Sequence, residues 1–300
     1  MEDIFKPQSL TIKQLFGNAD ALYQIPRYQR PYSWGEDPLE KLWDDLFDAM
    51  ENDPNYFLGS IITAKPQEAS NYLDIVDGQQ RLTTLLILLC VYRDLYPNIN
   101  YKILESDPFA IDANTIKTSI KFNDRFQRLR LKTHSNHETD FTNIVLKEGI
   151  SIQNKRPLKK DLRNDEDPKH KFINTAVYFT EKLTEIGEET AGQFLNFLFN
   201  NVKIIRIDCQ SVSFAIKLFQ VLNDRGLDLS NSDLIKSHLV GKIHKIYDDE
   251  EVKRQKEDQF IDDWKFCSNL ALDTEERLND LFVLYEYYLL GDNPKKSLYD

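Results

Sequence analysis

The sequence predicts an α/β (α+β) fold, and three observations lead to it. The aromatic and β-branched stretches YFLGSIITA (56–64) and YLDIV (72–76) read as strands feeding one long helix, Gln79 to Leu95, that is apolar nearly all round. A third strand, VKIIRIDC (202–209), is followed by helix-forming sequence, so the strand-to-helix pattern resumes late in the chain. Between them, from about 108 to 200, helical segments alternate with polar loops.

In chain order, SLTIKQLF (9–16) reads as a short capped helix, and QIPRYQRPYSW (24–34) as extended, because Pro26 and Pro31 deny it helical continuity. Asp37 and Pro38 restart a helix whose Leu39, Leu42, Trp43, Leu46 and Phe47 form one apolar stripe. After strand 202–209, SFAIKLFQVLNDRG and LIKSHLVGKIHKIY read as two helices, and a last helical region runs from about 251 to 290. These elements divide into a core, first part (1–107), a helical insertion (108–200), a core, second part (201–248), and a C-terminal helical region (249–300). The final GDNPKKSLYD follows an aromatic helix without completing a domain, so the chain is expected to be the N-terminal part of something longer.

Three hundred residues at 41% hydrophobic content bury a real core. A formal net charge of −11 excludes a general nucleic-acid coat and a basic membrane binder, leaving only local basic patches, of which 117–132 and 155–163 are the densest. Cys90, Cys209 and Cys267 lie far apart with no CxxC pair, which fits a reduced, cytoplasmic protein. The longest apolar run, Leu85 to Val91, is far short of the roughly 20 residues a membrane span needs. A soluble chain is expected.

The chemistry concentrates in three places. At DGQQR (77–81) a strand turns into a helix, Gly78 lets the backbone approach a ligand, and the free N–H groups of the first helical turn suit phosphate. Arg81 adds a guanidinium, and Gln79 and Gln80 add amides for a base, a ribose or an attacking water. Asp77 would repel phosphate, so it reads either as a magnesium ligand or water-orienting group, or simply as the N-cap of the helix. In RYQRPYSW, Gln29 and Arg30 read as functional, whereas Tyr32 and Trp34 read as packing.

The third place is FQVLNDRGLDLSNSDLIKSHL (219–239). There Gly226 suits a helix C′ position, Ser230 with Asp233 a capping box, and Leu229 a staple onto Leu234. Asn223, Arg225 and Lys236 have no such structural explanation and are candidates for a ligand. THSNHETD (133–140), with His134, Asn136 and His137, lacks the setting and the further ligand of a metal site and reads as a polar loop. His238 and His244 fall on different helix faces, and no GxxxxGK[ST] phosphate loop is present.

Taken together and in order, IPRYQRPYSW, YFLGSI, DIVDGQQRLTTL and FQVLNDRGLDLSNSDLIKS resemble the DGQQR family of ParB/sulfiredoxin-like domains over about residues 20–240. Such domains form the N-terminal module of GmrSD-type modification-dependent restriction enzymes and related phage-defence proteins. The resemblance implies a nucleotide-binding core with a large helical insertion, an NTP with Mg2+ as cofactor, and action on modified DNA. It implies catalytic roles for Asp77, Gln80 and Arg81, with Asp77 the candidate magnesium ligand, and phosphate binding by Tyr28, Gln29, Arg30, Gly78, Gln79, Asn223, Arg225 and Lys236. Many relatives carry a C-terminal HNH-like nuclease domain, which these 300 residues do not supply, so cutting is expected to need such a domain or a separate nuclease subunit. Two functions follow: an NTP-hydrolysing module, or a non-catalytic sensor of nucleotide or DNA modification.

Overall fold

The computed structural model describes residues 5–273, apart from 18–21, 54, 67–69, 101–106, 108–109, 157–166, 224–230 and 248. The chain divides into two compact units, Met1–Val212 and Ser213–Asp300. In the first, β1 (Phe5–Thr11), α1 (Ile12–Gly17), β2 (Leu22–Gln24) and α2 (Glu36–Asn52) lead to β3 (Phe57–Ala64), β4 (Tyr72–Asp77) and α3 (Gln79–Leu95). Then follow α4 (Ala113–Ile120), β5 (Leu131–Lys132), the single turn α5 (Glu138–Phe141), α6 (Pro168–Asn200) and β6 (Lys203–Cys209). In the second unit lie α7 (Val212–Asn223), α8 (Asn231–Ile246) and α9 (Glu250–Asp273), of which α8 and α9 pack together. Among the described residues no helix is long and apolar enough to cross a membrane.

The six strands form one mixed sheet in the order β1-β6-β3-β4-β2-β5. β6 pairs antiparallel with β1, from Phe5↔Cys209 to Thr11↔Lys203, and parallel with β3. SLTIKQLF is thus split: Ser9 to Thr11 end a strand and Ile12 begins a helix. The deciding partner is almost 200 residues away in sequence and invisible to local pattern. The stretch 121–132, expected to belong with helices, instead doubles back on an isolated Lys121↔Leu129 bridge and adds β5 to the edge of β2.

One hydrophobic core runs through the first unit, from Leu10 to Ile204. α3 lies at its centre: every residue from Gln79 to Arg93 except Arg81 is buried. A helix without a polar face must be covered all round, and α4 and α6 from the helical stretch supply the cover. Polar bolts fix them. Tyr92 and Tyr96 donate to the carbonyls of Ala191 and Leu183 at 2.9 and 2.7 Å, tying α3 to α6. Arg93 donates to the carbonyls of Val145, Leu146 and Lys147, where the turn Thr142–Leu146 ends, and its neighbour Asp94 accepts from Ser151 at 2.6 Å.

A second polar assembly crosses the sheet. Asp208 of β6 accepts from Gln8 of β1 at 2.9 Å, from Thr63 of β3 at 2.7 Å and from Arg206 at 3.0 Å. Arg206 also donates to the Tyr23 hydroxyl of β2 at 3.0 Å, and that hydroxyl donates to the Leu15 carbonyl of α1. Removing the acid leaves a buried guanidinium without its counter-charge, a loss of several kcal/mol when both partners are enclosed. Because Asp208 retains 27% exposure, the expected cost of Asp208→Ala is smaller, about 2–3 kcal/mol. It is read as a lower urea midpoint with an unchanged slope.

Candidate phosphate corner

β4 passes into α3 through Gly78 alone. Its φ of +87° lies in the left-handed region that suits glycine, and a Cβ there would run into the Ile61 side chain. Gly78 is therefore the N-cap, and Asp77 is the last residue of the strand. The alternative reading of Asp77 as the helix cap is not what the chain adopts. Its carboxylate instead accepts from the Gly78 N–H and faces the Arg81 guanidinium at 3.9 Å. Burial pushes the Asp77 carboxyl above its ordinary value of 3.8, opposed by Arg81, by the Gly78 N–H and by Arg30.

The first intrahelical bond runs from Leu82 N to Gly78 O, 3.1 Å. Among the described residues nothing accepts from the N–H groups of Gln79, Gln80 or Arg81, so the positive end of α3 is unsatisfied.

The side chains of the motif divide by task. Gln80 grips the upstream segment at two points: its Nε2 donates to Pro31 O at 3.0 Å, and its Oε1 accepts from Ser33 N at 2.9 Å. Gln29 grips in return, donating to the Val76 carbonyl of β4 at 2.9 Å. The Tyr32 hydroxyl sits between Thr84 and Thr175, at 2.8 and 3.1 Å, and its ring stacks on Phe172. Arg81 lies over Gly59 and donates to the Leu58 carbonyl at 3.2 Å; a Cβ on Gly59, whose φ is +126°, would collide with the guanidinium. Gln29, Gln80 and Arg81 thus hold loop, corner and β3 together. Tyr28, expected from the resemblance to bind phosphate, is buried.

Two motif residues remain turned to a common space. Arg30 is exposed, and Gln79 is 6% exposed with its Oε1 buried and without a hydrogen-bond partner. Both line a small cavity with Thr83, Thr133, His134 and His137, with about 10 Å3 of room, roughly one water. The histidines were read from sequence as a polar loop. They arrive because β5 pairs with β2, with Ile25 N bonding Lys132 O at 2.9 Å, a long-range pairing with no local signal. The His134 ring is held at both nitrogens, with Nε2 2.9 Å from Arg27 O and Nδ1 facing Asn136 N.

Of the downstream candidates, Arg225, Gly226 and Ser230 lie outside the described residues, as do the side chains of Asn223 and Asp233. Lys236 is on α8 in the second unit. Tyr28, Gln29, Arg30 and Asp77–Arg81 do come together in the first.

Two predictions follow from this geometry. Gln80→Ala strips partners from Pro31 O and Ser33 N and is expected to cost about 1–2 kcal/mol, with faster hydrogen exchange at residues 29–34. For Asp77, a carboxyl raised on folding contributes stability at pH below its unfolded value, and that contribution is lost as pH rises through the folded value. Asp77→Asn is therefore expected to gain stability relative to the parent as pH rises upward from 3.8, measured by urea unfolding across a pH series.

The motifs that meet at this corner also identify the lineage. Among curated proteins no sequence matches this chain. Over residues 12–240, however, the chain matches the family described as "GmrSD restriction endonuclease, N-terminal domain". That span covers both sides of the corner, the gripped segment and the whole helical stretch, and the chain belongs to this family of restriction-endonuclease N-terminal domains.

Proposed function

We propose that this chain is the nucleotide-responsive module of a modification-dependent restriction or phage-defence system, and that it takes the phosphates of an NTP at the N-terminus of α3. The observation that carries this is Gln79: a buried side-chain amide with an unpartnered oxygen, beside Arg30, at a helix start with three unsatisfied N–H groups. An orphaned polar group of this kind has a cost of about 1–3 kcal/mol, which a ligand relieves. The amide's oxygen and nitrogen exchange by a simple flip, so the same side chain can donate to phosphate.

The donor set fits an anion. Arg30 supplies an exposed guanidinium, and the first turn of α3 supplies N–H groups aligned with the helix dipole. The enclosed space admits one oxygen atom rather than a phosphate group, so the ligand is taken at the mouth, where Arg30 stands. Magnesium typically binds through one or two carboxylates together with substrate phosphates, and Asp77 is the carboxylate at this corner. A divalent ion there compensates the buried charge that Arg81 now offsets. When bound, the ion supplies charge neutralisation on the phosphates.

A second reading, a sensor that binds nucleotide without hydrolysis, is favoured by the engagement of Gln80 and Arg81. Both groups expected to act on a water or a transition state are occupied holding Pro31, Ser33 and Leu58. Membership in a family of restriction-endonuclease N-terminal domains supports DNA, modified, as the target that the nucleotide state controls. A nuclease, as an HNH-like domain or a separate subunit, then does the cutting.

Arg30→Ala and Gln79→Leu are expected to keep the parent's unfolding midpoint in the absence of ligand. Each is expected to lose the stabilisation that NTP with magnesium gives the parent, about 2.7 kcal/mol at a ligand concentration 100 times Kd. Unchanged stabilisation in both variants contradicts the site. Arg81→Ala is the less useful variant, because it also releases β3. Phosphate release by the parent, with and without DNA, separates hydrolysis from sensing.

A further inference from the structure

The run KTSIKFNDRFQRLRLK, residues 117–132, carries six basic residues and one acid in a protein of net charge −11. The run starts in the last turn of α4, and the fold closes residues 121–130 into a loop before β5. The Lys121↔Leu129 bridge and the bond from Arg130 N to Ile120 O close its base. Asp124 braces the tip by accepting from Phe126 N at 3.0 Å and from Arg128 Nε at 2.6 Å. The lone acid is therefore internal scaffolding, and it leaves the outward charge positive. Lys117, Arg125 and Lys132 are exposed.

At the tip stands Phe126, 67% exposed, with the Arg125 guanidinium 4.5 Å from its ring centre. Behind it the Phe122 ring lies between the guanidinium groups of Arg128 and Arg130, at 5.3 and 4.5 Å. A large aromatic side chain left in water on a braced turn, with a guanidinium against its ring, has no role in the core. Its chemistry matches a polyanion with stackable rings: the cations meet phosphates, and the aromatic wedge meets a base step.

We infer that the 121–132 loop, with the adjoining last turn of α4, is a DNA-docking surface, with Lys117, Arg125 and Lys132 contacting the phosphate backbone of duplex DNA and Phe126 entering a base step. This rests on the restriction reading above, but it involves none of the corner residues. It also gives a strongly acidic chain a local means of approaching DNA, since the electrostatic term acts within about 10 Å at ordinary salt.

The test is fluorescence anisotropy with a labelled duplex across a salt series, using the full chain. Lys117→Gln/Arg125→Gln/Lys132→Gln is expected to weaken binding at least about tenfold and to lower the slope of log affinity against log salt by about 2 to 3. Phe126→Ala is expected to weaken binding with the slope unchanged. NTP-dependent stabilisation, measured on the same variants, stays at the parent value. Parent affinity and slope in both variants would overturn the inference, as would preference for duplex RNA over duplex DNA. Loss of DNA binding with NTP stabilisation intact supports this surface, whereas a parent that binds DNA through the loop but ignores NTP contradicts only the nucleotide reading.

Discussion

The nucleotide site proposed for this chain depends on one two-point grip. Gln80, buried at the start of α3, holds a carbonyl and an N–H of the segment 31–33, and Gln29 of that segment holds a carbonyl of β4. Together with Tyr32, whose hydroxyl sits between Thr84 and Thr175, these bonds hold a proline-containing loop against the corner. With them, Arg30 is carried between two anchored neighbours and faces the same space as Gln79. Two glutamines fix the position of a third and of an arginine. The remaining geometry is steric: Gly78 and Gly59 are glycines because Ile61 and Arg81 occupy the space a Cβ would take.

A signature read as chemistry therefore contains a good deal of architecture. Of the five motif residues, Gly78 makes the turn, Gln80 grips the loop, and Arg81 fastens β3. Asp77 and Gln79 remain uncomfortable, one a carboxyl shifted by burial, the other an amide oxygen without a partner. Unrelieved groups of this sort are where folding free energy has been given up, and their adjacency at a helix N-terminus is what distinguishes this corner from a tight turn.

The central elements were legible in the sequence because their signals are local. α3 spans Gln79–Leu95 as its apolar run implies, and β3, β4, β6 and α2 begin and end within two residues of their patterns. β1, β2 and β5 were not legible: each is short or proline-bearing, and each exists because a distant strand completes it. The same cause hid part of the site. His134 and His137 reach the corner only through the pairing of β5 with β2, whereas Arg30 and Gln79 announced themselves through motifs. Gln80 and Arg81 were found by the same signal, but their engagement in hydrogen bonds to backbone is a property of packing.

The central claim is that the grip creates the phosphate site. Calorimetric titration of NTP with magnesium into the Gln29→Ala/Gln80→Ala double variant, at a temperature where it remains folded, tests this most directly. The account expects the affinity to fall at least about tenfold, a loss of about 1.4 kcal/mol, although Gln29 does not line the cavity and both ends of the Gln80 amide are engaged by Pro31 and Ser33. Parental affinity in the double variant, with residues 29–34 released in hydrogen exchange, would contradict it.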